Sequence, residues 1–204
     1  MPAIPMRRNF FIISVGLLVS CANPNTNEPV TAPLVDSDFT AHQDTIRAAP
    51  PKTIVFSGAA KQIYTGTTTP EELLAFAQTL IGIPYQYGSV DPAVGFDCSG
   101  FITHVFNHFN IAVPRSTIDF TYLEREIDLE QCKPGDIVLF TGTEIDSADR
   151  KVGHMGIITA NENGQQYFIH STSGKAYGVT ISLLSPHYVA RFVKVLRIFP
   201  QNDQ

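Results

Sequence analysis

The chain has little of what several function classes require. Its 204 residues include three cysteines, Cys21, Cys98 and Cys132, too few for a disulfide framework. Lys and Arg are nowhere clustered, and 14 basic residues face 19 acidic ones, for a formal net charge of -5. Nucleic-acid partners are excluded on that ground, because phosphate contacts need concentrated positive charge. No internal repeat is present, which excludes solenoids and propellers. The apolar stretch at residues 10–19 is interrupted only by Ser14 and Gly16. It is far shorter than the roughly 20 residues of a bilayer-spanning helix, so it does not read as a retained transmembrane segment.

What is present near the N-terminus has the pattern of an export signal. Arg7 and Arg8 precede the short apolar stretch, which ends in Leu18-Val19-Ser20-Cys21. That run resembles the lipobox of bacterial lipoproteins. The resemblance implies removal of residues 1–20 and lipidation of Cys21, which anchors the protein in the membrane through acyl chains worth about 0.8 kcal/mol per buried methylene. The alternative is a plain secretory signal with an incidental cysteine. Ala22 carries no inner-membrane retention signal, so the resemblance points to the bacterial cell envelope, at the outer membrane facing the periplasm. Residues 21–68 then hold the anchor site and a spacer rich in Pro, Asn, Thr, Ala and Asp. Within the spacer, Ile54-Val55-Phe56 is an apolar patch able to dock on the domain that follows.

A folded domain is expected over residues 69–199, with a short tail at 200–204. Thr69-Pro70-Glu71-Glu72 reads as a capping box with Pro in the first helical turn, followed by Leu73, Leu74, Ala77, Leu80 and Ile81 at helical spacing. Gly82 supplies a stop. A second helix is expected from Cys98 to Phe109, with a stripe of Phe101, Ile102, Val105, Phe106 and Phe109. After Pro134-Gly135 the pattern changes to strands at 137–140, 154–159, 167–171, 179–181 and 189–199, with a turn at 161–164. Helices before strands imply an α+β fold whose N-terminal helices pack on a small antiparallel sheet.

Cys98 opens the second helix. Free amides and the helix dipole there favour a negative charge, so a lowered thiol pKa is expected, and the same amides can hold an oxyanion. Cys98 alone is equally well read as a small buried hydrophobe. The histidines change the balance. A hairpin about the 161–164 turn pairs residues whose numbers sum to 324 or 325, which brings His154 opposite or next to His170. On a shared face, one imidazole takes the thiol proton and the other orients it, the logic of a nucleophile, base and orienting group.

Six segments together resemble the NlpC-type cell-wall endopeptidases, a papain-like family of bacterial cysteine peptidases. They are Gly82-Ile-Pro-Tyr85-Gln-Tyr-Gly88, Asp97-Cys98-Ser99-Gly100-Phe101, Val113-Pro114-Arg115-Ser116-Thr117, Lys133-Pro134-Gly135-Asp136-Ile137-Val138-Leu139-Phe140, Gly153-His154-Met155-Gly156-Ile157 and Phe168-Ile169-His170-Ser171. The resemblance implies that Cys98 is the nucleophile, His154 the general base and then acid, and His170 the residue that orients His154. Tyr85 matches a tyrosine near the nucleophile whose hydroxyl helps to hold the oxyanion, with Tyr87 its competitor because one extra residue intervenes. Asp97, Ser99 and Arg115 match positions that line or support the cleft. The implied substrate is the peptide stem or cross-link of peptidoglycan, and the implied activity is thiol-protease hydrolysis without a cofactor, by a monomer.

Other features are given structural readings. His104 and His108 are spaced for a shared metal but lack a third ligand, and read as a solvated helix face. Cys132 reads as a structural thiol, and His42 and His187 receive no role. Zinc held by Cys98, His154 and His170 lacks an apparent fourth ligand, so no metal is expected. The rival functions are a wall-binding lipoprotein without turnover, for which the Cys-His-His set is superfluous, and an amidase or acyltransferase on the same scaffold.

Overall fold

The computed structural model describes Ile54, Phe56 and residues 61–143 and 151–204. The expected signal peptide, Cys21 and most of the expected spacer lie outside the described residues. Among the described residues no helix is long and apolar enough to cross a membrane.

Helix α1 spans Pro70–Thr79. Thr69 accepts a hydrogen bond from the Glu72 amide at 3.2 Å, and the Glu72 carboxylate accepts one from the Thr69 amide at 2.9 Å. Two otherwise unpaired donors are thereby satisfied, as the capping box requires. The helix stops at Thr79, so Ile81 falls outside its buried stripe and is exposed. Helix α2 spans Cys98–His108 and buries Phe101, Ile102, Val105 and Phe106. Its start is capped by Asp97, whose carboxylate accepts from the Gly100 amide.

The strands β1 (Glu126–Ile127), β2 (Ile137–Thr141), β3 (Val152–Glu162), β4 (Gln165–Thr172), β5 (Gly178–Leu183) and β6 (Phe192–Leu196) form one sheet in the order β1-β6-β2-β3-β4-β5. Every pairing is antiparallel. This is the expected α+β class with two differences in detail. The strand expected at 189–199 begins only at Phe192, because Ser185-Pro186 starts a short helical turn, α3, at Pro186–Val189. The edge strand β1 carries too few residues to show a period.

Alternating side chains send the sheet into two cores. Ile137, Leu139, Met155, Ile157, Ile169 and Leu196 join the helices in the larger one, together with Cys98. Val138, Phe140, Ile158, Phe168, Leu184, Val195 and Cys132 form the smaller one, with Tyr188 packed against it. Cys132 is a buried free thiol pushed up to about 12, first by burial and then by Asp136.

The packed chain reaches beyond the expected domain limits at both ends. Ile54 exchanges hydrogen bonds with Asn107, Phe56 packs on the larger core, and Ile63 and Thr65 are buried. At the other end Asp203 pairs with Arg125, and Lys133 donates to the carbonyls of Asn202 and Gln204.

Candidate active site

The β3–β4 hairpin turns at Asn163-Gly164, both with positive φ, as a two-residue hairpin loop requires. A register shift between Ile158 and Ala160 then leaves Thr159 without a partner. Beyond it, Ile157 faces Ile169 and Ile158 faces Phe168, so paired numbers sum to 326 rather than the expected 324 or 325. His170 therefore lies across from Gly156, and His154 is two residues further along on the same face. A side chain at Gly156 would place its Cβ 2.6 Å from Phe168 Cδ2 and 3.1 Å from His170 Cβ. Glycine leaves the room in which the two imidazoles meet.

They meet edge to face, with His154 Nε2 2.8 Å from His170 Nδ1. His170 Nε2 is 2.9 Å from Ser182 Oγ on β5. His154 stacks on Phe140, and His170 packs on Phe168 and Tyr188, all of the smaller core. If the chain of donors runs from His154 Nε2–H to His170 Nδ1 and from His170 Nε2–H to Ser182, His154 Nδ1 is left as a free lone pair.

Cys98, the first residue of α2, approaches β3 just before His154. Its Sγ is 3.5 Å from Thr117 Oγ1 and 3.9 Å from the carbonyl oxygen of Gly153, the residue before His154. Cys98, His154 and Tyr85 line one cavity of about 580 Å³. Tyr87, the competitor of Tyr85, is 84% exposed and does not line it.

The lowered thiol pKa expected from the helix start is overturned. Burial pushes the Cys98 thiol up, and this outweighs the Thr117 hydrogen bond and the amides of Ser99 and Cys98, which pull down; Asp97 adds to the rise. Burial, then His170 and Arg191, hold His154 well below the usual imidazole range. Burial and Arg191 push His170 down to about 3. The resting site thus holds a neutral thiol beside neutral imidazoles. Tyr85 is raised by burial and by Cys98, so its hydroxyl stays protonated and able to donate.

Asp97, Ser99 and Arg115 do not line the cavity but brace the start of α2. Asp97 Oδ2 accepts from the Gly88 amide at 2.9 Å, and Arg115 donates to Gly88 O at 2.8 Å and Ser99 Oγ at 2.9 Å. Arg115 also lies 3.4 Å from Asp97, and Ser99 donates to Asp97 Oδ1 at 3.2 Å. The loop before Cys98 is thereby tied to the residues on either side of it.

A family model matches residues 82–197, and it is that of the NlpC/P60 family. The chain belongs to the NlpC/P60 family. It is 30% identical over 140 residues to "Gamma-DL-glutamyl hydrolase" of Bacillus subtilis, covering 67% of this chain and 32% of that one. It is 36% identical over 112 residues to "Probable endopeptidase NlpC homolog" of Haemophilus influenzae, covering 54% of this chain and 52% of the relative. The chain thus spans about a third to a half of these relatives. The crystal structure of an NlpC/P60 family protein from Bacillus cereus superposes with a TM-score of 0.57 at 23% identity, over 67% of this chain and 42% of that one. The fold is the papain-like one of such domains.

Within this NlpC/P60 domain several site residues escape sequence reasoning. Thr117, Ser182, Tyr188, Lys175, His187 and Arg191 reach the cavity or the imidazoles from distant segments. Of these only Thr117 lies in a segment carrying the resemblance. His104 departs from the expected solvated face, being half-buried against Phe96, whereas His108 is exposed, with one ring face stacked on Phe76 of α1 at 3.6 Å. Among the described residues no three His, Cys, Asp or Glu side chains group as a metal site.

Proposed function

We propose that this NlpC/P60 domain is a cysteine endopeptidase that hydrolyses peptide bonds in the stem or cross-link of peptidoglycan, using Cys98, His154 and His170. The observation that carries the reading is the thiol sharing one cavity with an imidazole whose far nitrogen is already engaged by a second imidazole. With His154 Nε2 donating to His170, the nitrogen that receives the thiol proton is Nδ1. Sulfur attacks the carbonyl carbon as the proton transfers, which suits a pair that is neutral at rest. The tetrahedral oxyanion is met by the helix-start amides of Cys98 and Ser99 and by the protonated Tyr85 hydroxyl. His154 then returns its proton to the leaving amine, and water hydrolyses the thioester by the reverse sequence.

The names of the relatives, a glutamyl hydrolase and an endopeptidase homologue, support this substrate class. An export signal with lipidation at Cys21 would deliver the domain to such a substrate at the envelope. The test is digestion of purified peptidoglycan by the full chain, wild type and Cys98→Ala, with mass analysis of the fragments. Soluble fragments produced by the wild type alone are expected, and equal release by both proteins would sink the reading. Membrane attachment that survives Cys21→Ser would refute lipidation.

A further inference from the structure

The cavity beside Cys98 has an uneven charge distribution. Arg191 and Lys175 both line it, with His154 and His187, and no carboxylate among the described residues does. Arg191 is 5% exposed, so its charge is held largely out of water. Its Nε donates to Gly142 O at 3.1 Å and one Nη to Thr141 O at 2.7 Å, while the other Nη lies 3.3 Å from His187 Nε2. These are neutral partners. Among the described residues no carboxylate pairs with this guanidinium, although a buried cation is costly unless its charge is matched. Among the described residues, two of its five N–H bonds have no acceptor. Lys175, on the β4–β5 connection, is exposed at the rim of the same cavity and in no ion pair among the described residues.

We propose that this cavity contains a carboxylate-binding subsite, with Arg191 as its buried anchor and Lys175 as its rim charge. The ligand class is a peptide bearing a free carboxylate on a residue that flanks the bond to be cleaved. A carboxylate would match the guanidinium charge that no described carboxylate matches, accepting from its N–H bonds in a charge-assisted contact. The proposal deepens the peptidase reading and rests on it for the identity of the flanking bond. A subsite of this kind selects substrates whose side carboxylates are free over those in which they are amidated.

The test separates binding from turnover. The full chain carrying Cys98→Ala is titrated by calorimetry with a stem tetrapeptide containing D-glutamate and meso-diaminopimelate, with its side carboxylates either free or all converted to carboxamides. The free acid is expected to bind about tenfold tighter or more, the ratio of about 1.4 kcal/mol. Arg191→Gln in the same background is expected to bring that ratio close to one, and Lys175→Glu to reduce it severalfold. Lys175 is exposed, so its variant keeps the test alive if Arg191→Gln does not fold. Equal affinities for acid and amide, binding of neither, or a preference that Lys175→Glu and folded Arg191→Gln leave untouched would overturn the proposal. Failure of the peptidase reading has a different signature: no Cys98-dependent fragments, with the acid preference intact.

Discussion

Cys98 and the paired imidazoles belong to different cores. Cys98 is part of the larger cluster, where α2 packs on the sheet, and its loop is tied down by Asp97, Ser99 and Arg115. His154 and His170 lean on Phe140, Phe168 and Tyr188 of the smaller cluster. The two halves lie on opposite faces of one sheet, and at the cavity Gly153 O approaches the thiol. Chemistry that needs both halves therefore depends on how the sheet sets one against the other, while each half keeps its own packing. Losses of function and of stability are then separable.

Removing the thiol tests this most sharply. Cys98→Ala is expected to lower the Cys98-dependent rate by at least about 10⁴-fold, the scale seen when a nucleophile is deleted from a triad. Its melting temperature should stay close to that of the wild type, since the side chain lost is small. A variant that loses activity only because it has unfolded would break the proposed separation.

Gly156→Ala attacks the junction rather than either half. The new Cβ has no room against Phe168, the Ile169 carbonyl 2.8 Å away and His170, so β3 and β4 must shift. A displacement of this kind between the imidazoles is expected to cost about 10²-fold in rate. The control is Gly164→Ala in the hairpin turn, where no atom lies within 4 Å of the added Cβ but φ is +76°. That variant should lose stability through backbone strain while the folded fraction keeps its rate. Equal kinetic effects from the two would show that Gly156 only serves folding.

These residues also show where sequence reasoning works. The helix at Cys98 is legible because Asp97 caps it locally and the apolar stripe follows at helical spacing. The pairing of His154 with His170 is legible only to within a residue or two, since the unpaired Thr159 shifts the register and flips the alternation of β3 at that point, so that Ile158 faces Phe168 but Ala160 faces Tyr167. The expected low thiol pKa fails because the dipole argument sees the helix and not the burial. Ser182 and Arg191 are invisible for a further reason. Each reaches the site from a segment whose position is set by the sheet order, and no local pattern marks them.

The depressed imidazoles predict a pH dependence that reports on the smaller core. A base whose folded pKa lies below its unfolded value is neutral in the folded state, and the unfolded chain gains protons first as pH falls. Stability is thus fully present above about pH 6.5 and declines below it. For His170, lowered to about 3, the loss between pH 7 and pH 5 is about 2 kcal/mol. Chemical denaturation at the two pH values measures it, and His170→Asn should flatten the difference. The acid limb of kcat/KM should likewise fall below pH 6.5, because His154 keeps its lone pair to lower pH. An acid limb at or above 6.5 would contradict the neutral resting pair.

The smallest effect is expected at Ser182, and it is the most discriminating. The hydroxyl sits 2.9 Å from His170 Nε2 and touches neither the thiol nor the cavity that contains it. As an acceptor, it favours the His170 tautomer with its proton on Nε2, which leaves Nδ1 to accept from His154 and frees His154 Nδ1 for the thiol proton. Ser182→Ala removes that preference at a cost of about 1 kcal/mol, the scale of one hydrogen bond, so kcat should fall about fivefold with KM and melting temperature little changed. Ser182→Thr keeps the hydroxyl and should restore most of the rate. A purely structural serine would move stability and leave kcat alone. A fall in kcat that Thr rescues, without loss of stability, would place the tautomer of the imidazole pair under the control of a residue three contacts away from Cys98: Ser182 acts on His170, His170 on His154, and His154 on Cys98.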